Sequence, residues 1–405
     1  MKPDILKGIR VVDFTTYVAA PAATRIMADW GADVIKVEAP GGDLYRGYGA
    51  QMDSPIDEDK NPIYLLKNCN KKGLGLNLKN PEGMEAMHKL IASAEIFVTN
   101  VRMKSLKNLG LDYETLHAKY PKLVYGFCGG YGLYGEESGR PGFDIVTFWA
   151  RGGMMADLPP IGHPPISIPS GVGDNATGLA LLGGCMAALI KARATGMGEM
   201  VVASLYNTAI YVSDLMITST QFNDKFPKSR YAVGHPLSNT YQTKDGEWFA
   251  FAMLQYEKMF PKLCKVLGLD QYAEDERYCT LKTVKTENHV EEFCKILEEA
   301  MAKYDSAYIT KEFSANDLTF ERCHHFSELS SDKQALENHY LKEYTFKDGS
   351  TVQLPADPVQ FMSNEIVDID PAPAVGEHND EILAGLGYSA AQIAAMMESG
   401  AIVDK

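Results

Sequence analysis

Cysteine, basic charge and long apolar runs are all scarce in this chain, and each scarcity removes a class of protein. The seven cysteines, at 69, 128, 185, 264, 279, 294 and 323, are odd in number, scattered and without metal-ligand spacing. That fits reduced thiols in an intracellular protein rather than a disulfide framework. Cys323-His324-His325 is the only local cluster, and no metal is expected. No apolar stretch reaches the ~20 uncharged residues needed to span a bilayer. Met1-Lys2-Pro3-Asp4 leads into a polar segment without a signal-peptide layout, so the cytoplasm is the expected compartment and a membrane is not. The 39 Lys and Arg against 53 Asp and Glu leave a net charge of −14, the wrong sign for nucleic acid or anionic lipid. No G-x-G-x-x-G follows the first predicted strand, although Glu38 ends the second strand where a ribose-binding acid would sit. Walker, zinc-protease and nucleophile-elbow motifs are missing as well.

What is present is an α/β pattern long enough, at 405 residues, for more than one core. Short apolar runs at 9–14, 34–37, 96–99 and 123–127 alternate with helical patterns at 21–30 and 82–92, a βαβ rhythm that predicts a parallel sheet. In such a sheet ligands bind at the carboxyl ends of the strands, here the turns near 15–21, 39–43, 100–102 and 129–132. A long apolar helix from Leu179, a strand at 199–204 and a helix at 205–220 follow. The polar stretch 223–239 marks a boundary, which predicts a large domain of 1–222 and 331–405 around a smaller α/β domain of 223–330. A tail studded with Pro355, Pro358, Pro371 and Pro373 is expected to wrap over the first domain. Local charge departs from the mean: Lys71, Lys72, Lys79, Lys89, Arg102 and Lys104 form a cationic stretch. It reads either as a solvated face or as the partner of a phosphate-bearing ligand.

The segment Gly171-Val172-Gly173-Asp174-Asn175-Ala176-Thr177-Gly178 sets one carboxylate among glycines just before the apolar helix. Two readings stay open from the octapeptide alone. Asp174 is an N-cap worth about 1 kcal/mol, or it is a carboxylate nucleophile, ionised by the helix end and able to attack acyl groups.

Motifs along nearly the whole chain resemble one family in order. They are Leu6-Lys7-Gly8-Ile9-Arg10-Val11-Val12-Asp13, Ala20-Pro21, Asp29 through Glu38, Asn70-Lys71-Lys72-Gly73, Asn77-Leu78-Lys79, Pro81-Glu82-Gly83, Thr99-Asn100-Val101-Arg102, Gly129-Gly130-Tyr131-Gly132, Pro141-Gly142-Phe143-Asp144 and Gly376-Glu377-His378. The family is that of the class III, formyl-CoA transferase-like (CaiB/BaiF) CoA-transferases. Ile96 through Arg102, Pro141 through Asp144, Phe148 through Gly153 and Leu254 through Lys258 are most similar to its clostridial 2-hydroxyacyl-CoA transferases.

The resemblance implies a Rossmann-like large domain with a parallel sheet, a smaller α/β domain, and two chains interlocked as a homodimer. It implies transfer of CoA from an enoyl- or arylacryloyl-CoA to an (R)-2-hydroxy acid such as 2-hydroxyisocaproate, within amino-acid fermentation and upstream of a separate 2-hydroxyacyl-CoA dehydratase. CoA thioesters are then substrates and no cofactor is permanently bound. Asp174 is implied as the residue that forms acyl and CoA intermediates. Val18, Ala19, Leu76, Asn77, Leu78, Lys79, Asn100, Val101 and Arg102 are implied as the CoA contacts, with Lys71, Lys72, Lys104 and Arg140 as further phosphate candidates from charge. Family racemases carry a histidine at the position of Phe143, and phenylalanine holds no proton; α-methylacyl-CoA racemisation is the alternative activity this disfavours. A CoA-binding sensor or scaffold is the alternative without chemistry.

Overall fold

The computed structural model of the protein describes residues 4–168, 171–362 and 368–403. The chain divides into two compact units, one formed by residues up to Met154, Ser167–Thr218 and the chain from Asp332, the other by Met155–Ile166 and Ser219–Ser331. The smaller unit therefore also takes in 155–166.

The larger unit is built on six strands: β1 (Arg10–Phe14), β2 (Asp33–Glu38), β3 (Lys72–Gly75), β4 (Ile96–Thr99), β5 (Val124–Gly129) and β6 (Met200–Ser204). They are all parallel, in the order β3-β2-β1-β4-β5-β6. This is the doubly wound order whose topological switch lies between β1 and β4. Helices α1 (Ala19–Asp29), α2 (Pro62–Asn68) and α3 (Pro81–Ala92) connect the first strands. One sheet face packs Leu90, Ile91, Phe97 and Tyr125 into a core, and the other packs Val11, Ile26, Met27, Val98, Leu181 and Cys185. The long helix Val172–Thr195 belongs to that second layer, lying on α1 and on β5 and β6. It is apolar and long enough by composition to cross a membrane, but Leu181, Leu182, Cys185 and Leu189 are buried here in protein.

The edge strand β3, Lys72-Gly73-Leu74-Gly75, does not read as a strand because glycine is poor in strands. Its glycines are required by the tail: a Cβ at Gly75 would lie 2.1 Å from the Val403 carbonyl oxygen, and one at Gly73 2.6 Å from that of Ala374. The tail covers this sheet edge, which protects it from pairing with other chains. It ends in two helices, Asn379–Gly385 and Ala390–Glu398.

The smaller unit has three antiparallel strands, Thr240–Gln242, Trp248–Phe251 and Phe320–Arg322. Helices Tyr256–Val266, Val290–Met301 and Ser306–Ala315 share with them an aromatic core of Tyr241, Phe249, Phe260, Phe293 and Phe313.

Candidate active site

The turns that leave β1 and β4 meet across the switch point. Asn100 accepts from the Thr16 amide at 2.9 Å and donates to the Thr16 carbonyl at 2.7 Å, so both turns are stitched to each other. Behind them lies a buried charge network. Asp13 accepts from Lys71 at 2.8 Å and from Thr24 at 2.7 Å, and also from Thr15. Lys36 donates to the Thr15 carbonyl and to Asp43, both at 3.0 Å. Asp43 in turn accepts from the Tyr17 amide at 3.2 Å, which helps hold Tyr17 at a positive φ of 63°. Burial pushes the Asp13 carboxyl up, but the charges of Lys71 and Lys36 and these hydrogen bonds pull it below the usual carboxylate range. Glu38 is occupied inside the fold by Arg46, at 2.6 and 2.9 Å, and by the Asp43 amide at 2.8 Å, and is not a ribose ligand. Lys71 is equally committed, its side chain being fully buried on Asp13. Lys72 pairs with Glu381 and Asp33. The phosphate role suggested by charge is thereby corrected for Lys71, whereas Lys72 stays partly exposed.

In front of the turns opens a cavity of about 1100 Å³, above the ~300–1,000 Å³ usual for small-ligand sites. Val18, Ala19, Asn100, Val101, Arg102 and Asp174 all line it. Leu76, Asn77, Leu78 and Lys79 do not: Leu76 is buried and bridges to Ile402, and Asn77 spends its amide on the Gly400 carbonyl at 3.1 Å. Arg102, Lys104 and Arg140 are the cations on the wall. Arg140 is paired with Glu137 at 2.6 Å, whereas Arg102 and Lys104 form no ion pair among the described residues. Sequence reasoning missed an aromatic wall of Phe143, Tyr17, Tyr45 and Tyr48, whose rings touch in that series at 5.3, 6.4 and 5.3 Å between centroids. Tyr45 and Tyr48 sit on the 3-10 helix Leu44–Met52, which has no periodicity that a pattern search detects.

The long helix starts at Val172, seven residues before the apolar run, so Asp174 is in its first turn and is not the N-cap. The cap position is Gly171, at φ 106°, and the helix is capped from outside: Asp144 accepts from the Gly171 amide at 2.6 Å. That amide is thereby spent and is not an oxyanion donor. Gly173 serves packing, since a Cβ there would meet the Phe148 ring at 2.2 Å and Asp144 at 2.3 Å. Asp144 begins a π-helical stretch, Asp144–Ala150, a distortion frequent at functional sites. The second Asp144 oxygen has no partner in hydrogen-bonding geometry among the described residues. Burial raises the Asp144 carboxyl, offset in part by the amides of Gly171, Asp174 and Gly173 and by the Trp149 indole.

Asp174 faces the opposite electrostatic situation from Asp13. Burial and then the charge of Asp144 push its carboxyl up to about 7, with Lys67 as the only opposing charge of note. The influence is mutual: burial and the Asp174 charge raise the Cys128 thiol to about 12, and burial, Tyr48 and Asp174 raise the Tyr45 phenol above its ordinary range. Perturbation by desolvation plus a specific charge, in a cleft, makes Asp174 a candidate for the reactive group.

These features define an α/β protein whose switch-point crevice suits an extended, phosphate-bearing ligand running from exposed cations to a half-buried carboxylate. A family model of CoA-transferase family III matches residues 6–379, and the chain belongs to that family. It is 40% identical to (R)-2-hydroxy-4-methylpentanoate CoA-transferase of Clostridioides difficile, over 96% of this chain and 97% of that protein. It is 34% identical to cinnamoyl-CoA:phenyllactate CoA-transferase of Clostridium sporogenes, over 96% and 95%. Among solved structures it is similar to Rv3272 from Mycobacterium tuberculosis, with a TM-score of 0.81 at 27% identity over 94% of this chain and 99% of that one. A CaiB/BaiF family protein from Brucella suis superposes with a TM-score of 0.79 at 26% identity, covering 94% and 99%. The protein is thus an enzyme of CoA transfer, with CoA thioesters as its substrates.

Proposed function

We propose that this enzyme moves CoA from an enoyl- or arylacryloyl-CoA to an (R)-2-hydroxy acid, 2-hydroxyisocaproate or a near relative, with Asp174 as the nucleophile. The observation that carries the reading is Asp174 itself: a cavity-lining carboxylate held near 7 by burial and by Asp144. The name of the 40% relative, whose acid is a branched 2-hydroxy acid, supports an aliphatic acceptor. So does the wall of Leu44, Tyr17, Tyr48 and Phe143, which offers apolar surface and no cation to a side chain.

An Asp174 oxygen attacks the donor carbonyl carbon, the carbon–sulfur bond breaks, and CoA leaves as the thiolate. The thiolate then attacks the aspartyl carbonyl of the mixed anhydride, forming an aspartyl-CoA thioester and releasing the donor acid. The acceptor carboxylate repeats the two steps in reverse order and Asp174 is regenerated. The thioester bond energy is conserved, so the protein's task is to exclude water from both intermediates. Arg102 and Lys104 are the free cations for CoA phosphates, and Val18, Ala19, Asn100 and Val101 the wall along which CoA runs. Residues 76–79 lie off that wall, where only a part of CoA projecting beyond the cavity would reach them.

A homodimer is part of the reading. Leu179, Ile190, Val202, Ile210, Tyr211 and Leu215 expose apolar side chains along the long helix, the edge strand β6 and the helical segment after it. A face of that kind calls for a covering partner, and a second copy of the chain is the proposed one. The product, a 2-hydroxyacyl-CoA, is the substrate class of a dehydratase acting next.

The test is to incubate the purified protein with an enoyl-CoA donor and a panel of (R)-2-hydroxy acids, and to read acyl-CoA products by mass spectrometry. Transfer to 2-hydroxyisocaproate above acetate and glutarate supports the reading. Transfer confined to acids without a 2-hydroxyl overturns it.

A further inference from the structure

Lys67 was not among the residues expected at the site and does not line the cavity, yet it is the cation nearest in effect to Asp174. It lies in the last turn of α2, and its Nζ donates to the Asn175 side-chain oxygen at 2.6 Å. Asn175 is the residue after Asp174 in the first turn of the long helix. The neighbouring Asn68 accepts from Lys71 at 3.1 Å, so α2 is anchored from behind by the Asp13 network and presents Lys67 forward. The same turn is also bonded by Asp144, which accepts from the Gly171 amide at 2.6 Å. A carboxylate and an ammonium thus both hold the first turn of the helix.

We propose that Lys67 is a positioning residue for Asp174: tied to Asn175 and opposite in charge to Asp144, its ammonium holds that turn and keeps the Asp174 carboxylate in its ionised, attacking form. This rests on the reading of Asp174 as the nucleophile. The groups that face Asp174 are Asp144 from the π-helical stretch, Lys67 from α2, Tyr45 from the 3-10 helix and Cys128 from β5. Tyr45 and Cys128 are neutral at working pH, so Lys67 alone counters Asp144. Lys67 is itself pushed down to about 8, by burial first and then by Arg25, with Asp174 pulling the other way. It is mostly charged below about pH 8, through the acid side and midpoint of the Asp174 titration.

The test is the pH profile of kcat for the wild type, Lys67→Met, Lys67→Gln and Lys67→Arg, with circular dichroism to verify folding and Asp174→Asn as the control. In the wild type kcat rises through pH 7 as Asp174 ionises. Loss of the Lys67 charge moves that acid limb up by about one pH unit, a deficit of about tenfold near pH 6 that shrinks toward pH 9. KM for the donor stays within about twofold, and Lys67→Arg restores the wild-type limb. The inference is overturned if both neutral variants, or whichever of them folds, keep the wild-type limb or lose the same factor at every pH. It is equally overturned if neither folds and Lys67→Arg displaces the limb. A turning-over Asp174→Asn would instead bring down the nucleophile reading beneath it.

Discussion

Asp13 and Asp174 are both carboxylates withdrawn from water in the larger unit, and they are stabilised to opposite degrees. Asp13 has two ammonium neighbours and two hydroxyl donors, which together outweigh its burial. Asp174 has burial and a like charge against one lysine. The first arrangement is a scaffold: its ions fix the turns at 15–17 and serve no substrate. The second leaves a carboxylate that gains by losing its charge, and bonding to an acyl carbon is one way to lose it. Burial of a charge thus marks a site only where compensation is incomplete.

The largest effect expected from breaking this contrast is kinetic. Asp174→Asn is predicted to lower kcat by about 10³-fold or more, while the melting temperature stays at or above that of the wild type, because the helix is capped by Asp144 and not by Asp174. Initial rates and a thermal melt decide it. The counterpart substitution acts on stability. Lys71→Met strands Asp13 in the interior and is predicted to cost about 3–5 kcal/mol in urea unfolding, and a second change, Asp13→Asn, should return part of that loss.

Opposite shifts predict opposite pH dependences. The Asp174 carboxyl is raised, so its favourable contribution is fully present below the unfolded value and is lost as pH rises through about 7. The wild type should therefore lose melting temperature relative to Asp174→Asn between about pH 4 and pH 7. The Asp13 carboxyl is lowered, so its contribution is present above the unfolded value and disappears as pH falls through its folded value. Acid titration of the wild type against Lys71→Met should close the gap between them below about pH 4. The smallest expected effect is none: with Phe143 beside the carboxylates in place of a base, a 2-methylacyl-CoA should exchange no α-proton with deuterated water at a rate near that of CoA transfer. Rapid exchange would make Asp144 the partner base and racemisation the activity.

Much of this was legible in the residues. The strand at 96–99 is observed where its run of Ile, Phe, Val and Thr predicts it, and β1, β2, β5 and β6 fall within two residues of theirs, because buried parallel strands read as short apolar runs. β3 was not legible, since its glycines answer to the tail crossing it and not to local preference. The start of the long helix was missed for a related reason: Gly171 and Gly173 look like a loop, but the first is a cap bonded by Asp144 and the second makes room for Phe148. Asp174 was legible as a carboxylate at a helix start, whereas its opposition to Asp144 and Lys67 was not, because those residues lie 30 and 107 positions away in the chain. The cationic stretch divides: Arg102 and Lys104 reach the cavity wall, Lys71 is consumed by a buried ion pair, and Lys72 forms ion pairs at the surface.

Asp174, the cavity-lining carboxylate raised to about 7, is thus the group expected to react. The most direct measurement is mass spectrometry of the protein after addition of an acyl-CoA and trapping with hydroxylamine or borohydride, followed by peptide mapping. A single modified peptide is expected, the one containing Asp174, and none in Asp174→Ala. Modification of Glu38, Asp144 or Cys128 with Asp174 untouched would contradict it.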